Sequence, residues 1–268
     1  MTILAMSPTP KVWAGLFLSL VALPATVVSR VAQLKKRIFK LTLQGEFDRA
    51  LRMDRSYRWI PGYGSPLEGS ILFSAGRYPE AREFLRPRAF DAKGNARLQS
   101  RELYLYALAL TNDAREAEAQ TILEAAIRVP QSTKSLHVAL ATCLLSQEKD
   151  PERARQLLEE AMNSDREPAQ TYEQRADDIR RVARYAWALA SCGRRSEAEA
   201  RITEALIASA DFKNRDLGGV QYYVGEAWRV LGESRKAKEA FDQALSLSPQ
   251  GAVATSTNRA LAKLRTAR

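Results

Sequence analysis

Residues 222–249, YYVGEAWRVLGESRKAKEAFDQALSLSP, constrain this chain most. Two runs with a helical apolar period flank Gly232. Small residues stand at Gly225, Ala237 and Ala244, and bulky ones at Trp228, Leu231, Phe241 and Leu245. The pattern predicts helix, tight turn, helix: the small residues let the two backbones approach and the large ones fill the holes beside them. One hairpin of this length cannot bury its own apolar face, so copies are required upstream. They are present. Gly45, Phe47 and Ala50 form a degenerate first copy; Gly69, Leu72, Gly76, Tyr78, Ala81 and Leu85 a second. Ala107, Leu110, Ala119, Leu123 and Ala126 form a third; Thr142, Leu145, Ala154, Leu158 and Ala161 a fourth; Ala186, Leu189, Gly193, Ala198, Ile202 and Ala205 a fifth. The equivalent alanines (50, 81, 119, 154, 198, 237) are 31, 38, 35, 44 and 39 residues apart. Pro87 is expected to end a second helix early, and Asp91 to Asn95 reads as a loop. The polar stretch Asn163 to Asp178 reads as helix extension or exposed loop.

The order small, aromatic, Gly turn, Ala, Phe, Ala, Pro in residues 222–249 resembles the tetratricopeptide repeat (TPR). The resemblance covers residues 31–250 and implies an all-α, right-handed, TPR-like α-solenoid of about six helix pairs. The first helix of each pair would line a concave groove. Carried onto this sequence, the groove would receive Arg101, Tyr104, Arg180, Arg184, Trp187, Tyr222, Glu226 and Arg229. Arginine and aromatic side chains together suit peptide segments or helices of other proteins. Trp187 and Tyr222 could equally pack between neighbouring repeats. The Lys and Asn set with which some TPR proteins clamp a C-terminal carboxylate is absent from the matching positions. Residues 251–268 read as a C-terminal helix capping the last repeat.

The N-terminus is of another kind. After a short tail, 1–11, residues 12–29 (VWAGLFLSLVALPATVVS) carry no charge, enough for about 27 Å of helix. The leading reading is one transmembrane anchor; a cleaved signal peptide and a buried core helix are the others. The basic juxtamembrane segment, 30–40, follows, with Arg30, Lys35, Lys36, Arg37 and Lys40 and no acid. By the positive-inside rule the repeats then lie on the cytoplasmic side of a single-pass membrane protein. The cluster would face lipid, each cation contributing about 1 kcal/mol near an anionic surface. It also holds half of the net charge of +10, so the excess is local and argues against nucleic acid as a partner. With 46% hydrophobic and 27% charged residues, the chain is not of the disordered class.

No catalytic constellation is legible. His137 is the single histidine and lies in an apolar helical run, as do Cys143 and Cys192. Gly-rich phosphate loops, a G-x-S-x-G elbow and paired metal ligands are all missing. The sequence therefore predicts no catalytic, cofactor or metal site, and a membrane-anchored scaffold that binds partner proteins. The alternative is an extracytoplasmic assembly or secretion factor, with the apolar segment as signal peptide or inverted anchor.

Overall fold

The computed structural model describes residues 10–60, 63–64, 66–97, 101–128, 133–163, 171–210, 212 and 217–266, with side chains from Val27 onward, Glu173 excepted. All regular structure among them is helical. The helices are α1 (Pro10–Gln44), α2 (Phe47–Tyr57), α3 (Glu68–Ser74), α4 (Tyr78–Ala89), α5 (Arg101–Asn112), α6 (Glu116–Ile127), α7 (Lys134–Ser146), α8 (Pro151–Asn163), α9 (Tyr172–Ser191), α10 (Arg195–Ser209), α11 (Gly218–Val230), α12 (Ser234–Leu247) and α13 (Ala252–Thr266). The first twelve pair consecutively into six hairpins. The odd-numbered helices α3, α5, α7, α9 and α11 touch one another in series and form an inner layer. The even-numbered helices form an outer layer, each packing on the first helix of the next hairpin.

One turn, used six times, builds these hairpins. Gly45, Gly76, Ala114, Glu148, Gly193 and Gly232 all have positive φ, between 55° and 80°. In each case the next residue's N–H donates to the carbonyl five residues back: Glu46 to Leu41, Arg77 to Leu72, Arg115 to Leu110, Lys149 to Leu144, Arg194 to Leu189 and Glu233 to Trp228, all at 2.9–3.0 Å. That left-handed residue closing the first helix is a Schellman turn. The chain then enters the second helix without a side-chain cap on Glu46, Arg77, Arg115, Arg194 or Glu233. Instead, Arg77, Arg115 and Arg194 each pair with a glutamate three residues on, in the first turn of that helix, where negative charge meets the positive end of the helix dipole.

Ala50, Ala81, Ala119, Ala154, Ala198 and Ala237 have no exposed surface, and each lies on a second helix against its partner. The small-against-large contact is explicit at two ends of the array. A Cβ on Gly225 would lie 2.5 Å from the Phe241 ring, and one on Gly69 would collide with Leu85. The register of the fourth hairpin differs from the sequence spacing. Counting back from the turn residue Glu148, as from Ala114 in the third, the small position is Ala141, not Thr142, and the bulky one Leu144, not Leu145. Asp150, at φ +42°, is an extra turn residue that shifts the second helix by one. Pro87 does not end α4, which runs to Ala89. Near the C-terminus of a helix a proline removes a single bond, here to the Glu83 carbonyl, and the helix continues. Asp91 to Asn95 is a loop, with Asp91 Oδ1 accepting from the N–H groups of Lys93 and Asn95. The polar segment splits: Thr171 caps α9 in a reciprocal capping box with Gln174, so Tyr172 to Asp178 extend the helix, while 164–170 lie outside the described residues.

Helix α1 is continuous, and Val31, Ile38 and Leu41 in its C-terminal half are buried. Its partner α2 carries a wholly buried Asp54, which accepts from Tyr63 Oη at 2.6 Å and from the Leu67 N–H at 2.9 Å. Beside it, Arg55 and Arg58 both pair with the buried Glu68. This knot holds the link from α2 to α3. Among the described residues no helix is long and apolar enough to cross a membrane. The side chains of the apolar run as far as Thr26, and the tail 1–9, lie outside that description.

Candidate functional site

The inner face is assembled from the first helices of successive hairpins. Helix α9 supplies Arg184 and Trp187, and α11 supplies Tyr222, Tyr223, Glu226 and Arg229. Trp187 stacks on Tyr223 with ring centroids 6.3 Å apart. The Arg184 guanidinium lies 4.3 Å from the Tyr223 centroid and donates to its hydroxyl at 2.8 Å. Burial raises the Tyr104 phenol on α5 above its ordinary range, with the Arg184 charge acting against it. Arg180 pairs with Asp177, and Arg101 is exposed at the start of α5. The structure thus brings Tyr104, Arg184, Trp187, Tyr222, Glu226 and Arg229 onto one wall. Arg184 and Trp187 are nearly sealed, at 8% and 2% exposure.

A charged relay crosses this wall. Arg229 Nε donates to Glu226 Oε2 at 2.8 Å, and its Nη2 to Glu148 Oε1 at 3.2 Å. Glu148 is the turn residue of the fourth hairpin, so the contact bridges hairpins four and six. Glu226 is buried; desolvation raises its pKa and outweighs Arg229, which lowers it. Burial likewise carries the Tyr222 phenol well above its usual value.

The inner face is covered by the chain's own last helix. Helix α13 packs on α11 and α12, with Ala260 and Leu264 against Ala237 and Phe241. It does more than cap the last hairpin, because it also reaches α3. Tyr78 Oη donates to the Ala252 carbonyl at 3.3 Å, Ser256 Oγ to Asn112 Oδ1 at 3.0 Å, and Arg259 Nη2 to the Asn112 carbonyl at 3.0 Å. Gly251, at φ +88°, sits so close to the Ser74 carbonyl and the Phe47 ring that no Cβ would fit. Between α13 and the wall remains a cleft of about 60 Å³, bounded by Glu116, Trp187, Tyr222, Glu226, Arg259 and Lys263 among others. A second cleft, of about 330 Å³, opens beside it between the ends of α7, α9 and α11. Asn112, Glu148 and Tyr223 were not legible as members of this face. For Asn112 and Glu148 the only signal was position at the end or turn of a first helix, and for Tyr223 its place beside Tyr222 in α11.

The basic cluster lies on α1, in the array's first hairpin. Arg30, Lys36, Arg37 and Lys40 are exposed, and Lys35 sits 4.9 Å above the Tyr63 ring. His137 faces Glu160 at 3.8 Å, and Cys143 and Cys192 are free thiols. Among the described residues no group of three or more His, Cys, Asp or Glu side chains converges as a metal site.

No family profile matches the chain, and no curated protein is similar to it in sequence. Among solved structures it is similar to YrrB, a TPR protein with an unusual peptide-binding site, at 18% identity over 72% of this chain and 89% of that one, with a TM-score of 0.40. It is also similar to a point variant of the nearly identical TPR-like repeats of a protein described as a kinesin light chain from Podosopora anserina. That match has 13% identity over 82% of this chain and 95% of the other, with a TM-score of 0.40. Overlap this loose carries no argument about function. The hairpin architecture stands on the contacts within the chain itself.

Proposed function

We propose that the protein is a non-enzymatic adaptor, TPR-like in its right-handed winding, that holds helical or peptide segments of partner proteins against its inner face. The observation behind this reading is that the inner face already carries a helix, α13, on a wall of aromatic, arginine and carboxylate side chains. A surface that offers the Asn112 carbonyl and amide oxygens, a half-buried tyrosine and a salt-bridged glutamate to one helix is chemically fit to receive another. The groove of this reading has Arg101 and Arg180 toward its rim, and Tyr104, Arg184, Trp187, Tyr222, Glu226 and Arg229 in its wall.

The adaptor is tethered to a membrane through residues 12–29, with Arg30, Lys35, Lys36, Arg37 and Lys40 at the lipid surface and the repeats on the cytoplasmic side. Eighteen uncharged residues followed by an acid-free cationic stretch support this placement.

The test places a photo-crosslinking side chain at Tyr222 or Arg229 on the inner face, and at Arg201 or Glu204 on the outer helix α10, in separate full-length proteins. Partner adducts from the inner positions alone, in a membrane fraction, support the adaptor. Equal labelling from α10 would move binding to the outer face. A full-length chain that does not float with membranes would remove the tether.

A further inference from the structure

Helix α13 is anchored at its base, where Gly251 is seated against Ser74 and Phe47 and Tyr78 donates to the Ala252 carbonyl; beyond that base it fits the inner face as an occupant. It is joined to α12 by only four residues, 248–251, and lies with Ala254, Thr257, Ala260 and Leu264 buried along one side. This stripe of small residues does not fill its seat. A cleft remains beneath it, and the Thr257 hydroxyl is wholly buried without a hydrogen-bond partner.

The charges are complementary. Helix α13 carries Arg259, Lys263 and Arg265 and no acid. The facing wall offers Glu116 and Glu226, with Arg229 held by Glu226 and Glu148. Lys263 acts on Glu226. The polar bonds from α13 go to the carbonyl and amide oxygens of Asn112, groups that any helix with a cation and a serine three residues apart can reach.

We propose that the groove's partner is a helix of this same chemistry: acid-free, cationic on one flank, and lined with Ala, Ser or Thr on its buried face. Helix α13 occupies the groove in cis and must swing out about residues 248–251 to admit it. This rests on the inner-face reading of the adaptor and adds the partner's chemistry and the obstacle to binding. A tethered competitor acts at millimolar effective concentration, so the resting full-length chain binds such helices weakly.

The test uses the full chain and, as probe, a fluorescent synthetic peptide with the sequence of residues 252–268. Ala260→Glu places a carboxylate against Phe241 and releases α13; Arg259→Glu breaks the bond to Asn112 from an exposed position and guards against misfolding of the first variant. Both are expected to bind the probe at least ten-fold more tightly than the wild type. In hydrogen exchange, α13 amides should lose protection while those of α11 and α12 keep it. Bound probe should protect the C-terminal ends of α5, α7 and α11. Affinities within two-fold of wild type, with α13 released, would overturn the proposal and leave the adaptor standing. Tight probe binding that protects α10 or α12 and not the inner ends would instead overturn the inner-face reading on which it rests.

Discussion

The six repeated turns give a prediction with both signs. Four carry glycine at the left-handed position, and two carry an L-residue, Ala114 at φ +58° and Glu148 at φ +55°. An L-residue held there costs roughly 1–2 kcal/mol, and glycine costs roughly 0.5–1 kcal/mol in extra unfolded-state freedom. Ala114 is exposed, so its methyl contributes no burial. Ala114→Gly should therefore stabilise the chain by about 1 kcal/mol. Gly193 is the mirror case. A Cβ there meets nothing within 4 Å, so Gly193→Ala isolates the backbone term and should destabilise by about 1 kcal/mol. The two turns belong to hairpins three and five and share no partner, so the double variant should return close to wild type. Denaturant melts of the full chain, read by helical circular dichroism, measure this; for a chain of this size each change corresponds to about 2–4 °C in Tm. Destabilisation by Ala114→Gly, with Gly193→Ala neutral, would refute the shared left-handed turn and with it the register of the array.

Gly225→Ala should destabilise by about 1–3 kcal/mol, because its methyl would enter the Phe241 ring 2.5 Å away; a thermal melt decides. Ala237→Arg, at a site with no exposed surface, should cost about as much or more, and an unchanged midpoint would mean the last hairpin is packed differently. Asp54→Ala leaves the buried Tyr63 hydroxyl and Leu67 N–H without their acceptor and should cost about 1–3 kcal/mol, read as a lowered denaturant midpoint. Glu226 has a raised folded-state pKa, so its contribution is fully present below its unfolded value of about 4.5 and is lost as the pH rises toward the folded value. Glu226→Gln should flatten the fall in stability above that pH, and parallel midpoint-against-pH curves for the two proteins would contradict the assignment.

What could be read from the sequence was local. The buried alanines of the second helices and the glycines at 45, 76, 193 and 232 announce themselves, because one packing contact and one backbone conformation each demand a small residue. Ala114 and Glu148 escaped because the Schellman bonds can hold an L-residue in the left-handed region at a cost that leaves no trace in residue type. Thr142 was read in place of Ala141 because Asp150 lengthens its turn by one residue. The path of α13 was illegible for a different reason. Its partners Phe47, Ser74, Tyr78 and Asn112 lie 140 to 205 positions away in sequence and share no periodicity with it. Trp187 and Arg184 read as groove residues from their spacing; the close approach of α9 to α11 buries them more than spacing alone indicates.

The seating of Gly251 against Ser74 and Phe47 bears on how the molecule comes apart. A linear row of hairpins behaves as a one-dimensional lattice and can unzip from either end, each unit lost at the expense of one interface. Here the C-terminal segment is fastened to the first and second hairpins as well as to the sixth, so neither end is a true end. Fraying at α2 or at α12 loosens the Gly251 seat, and the loss propagates to the opposite terminus. Hydrogen exchange should then report similar opening free energies for the first and sixth hairpins, where an open row would show protection falling away from its middle.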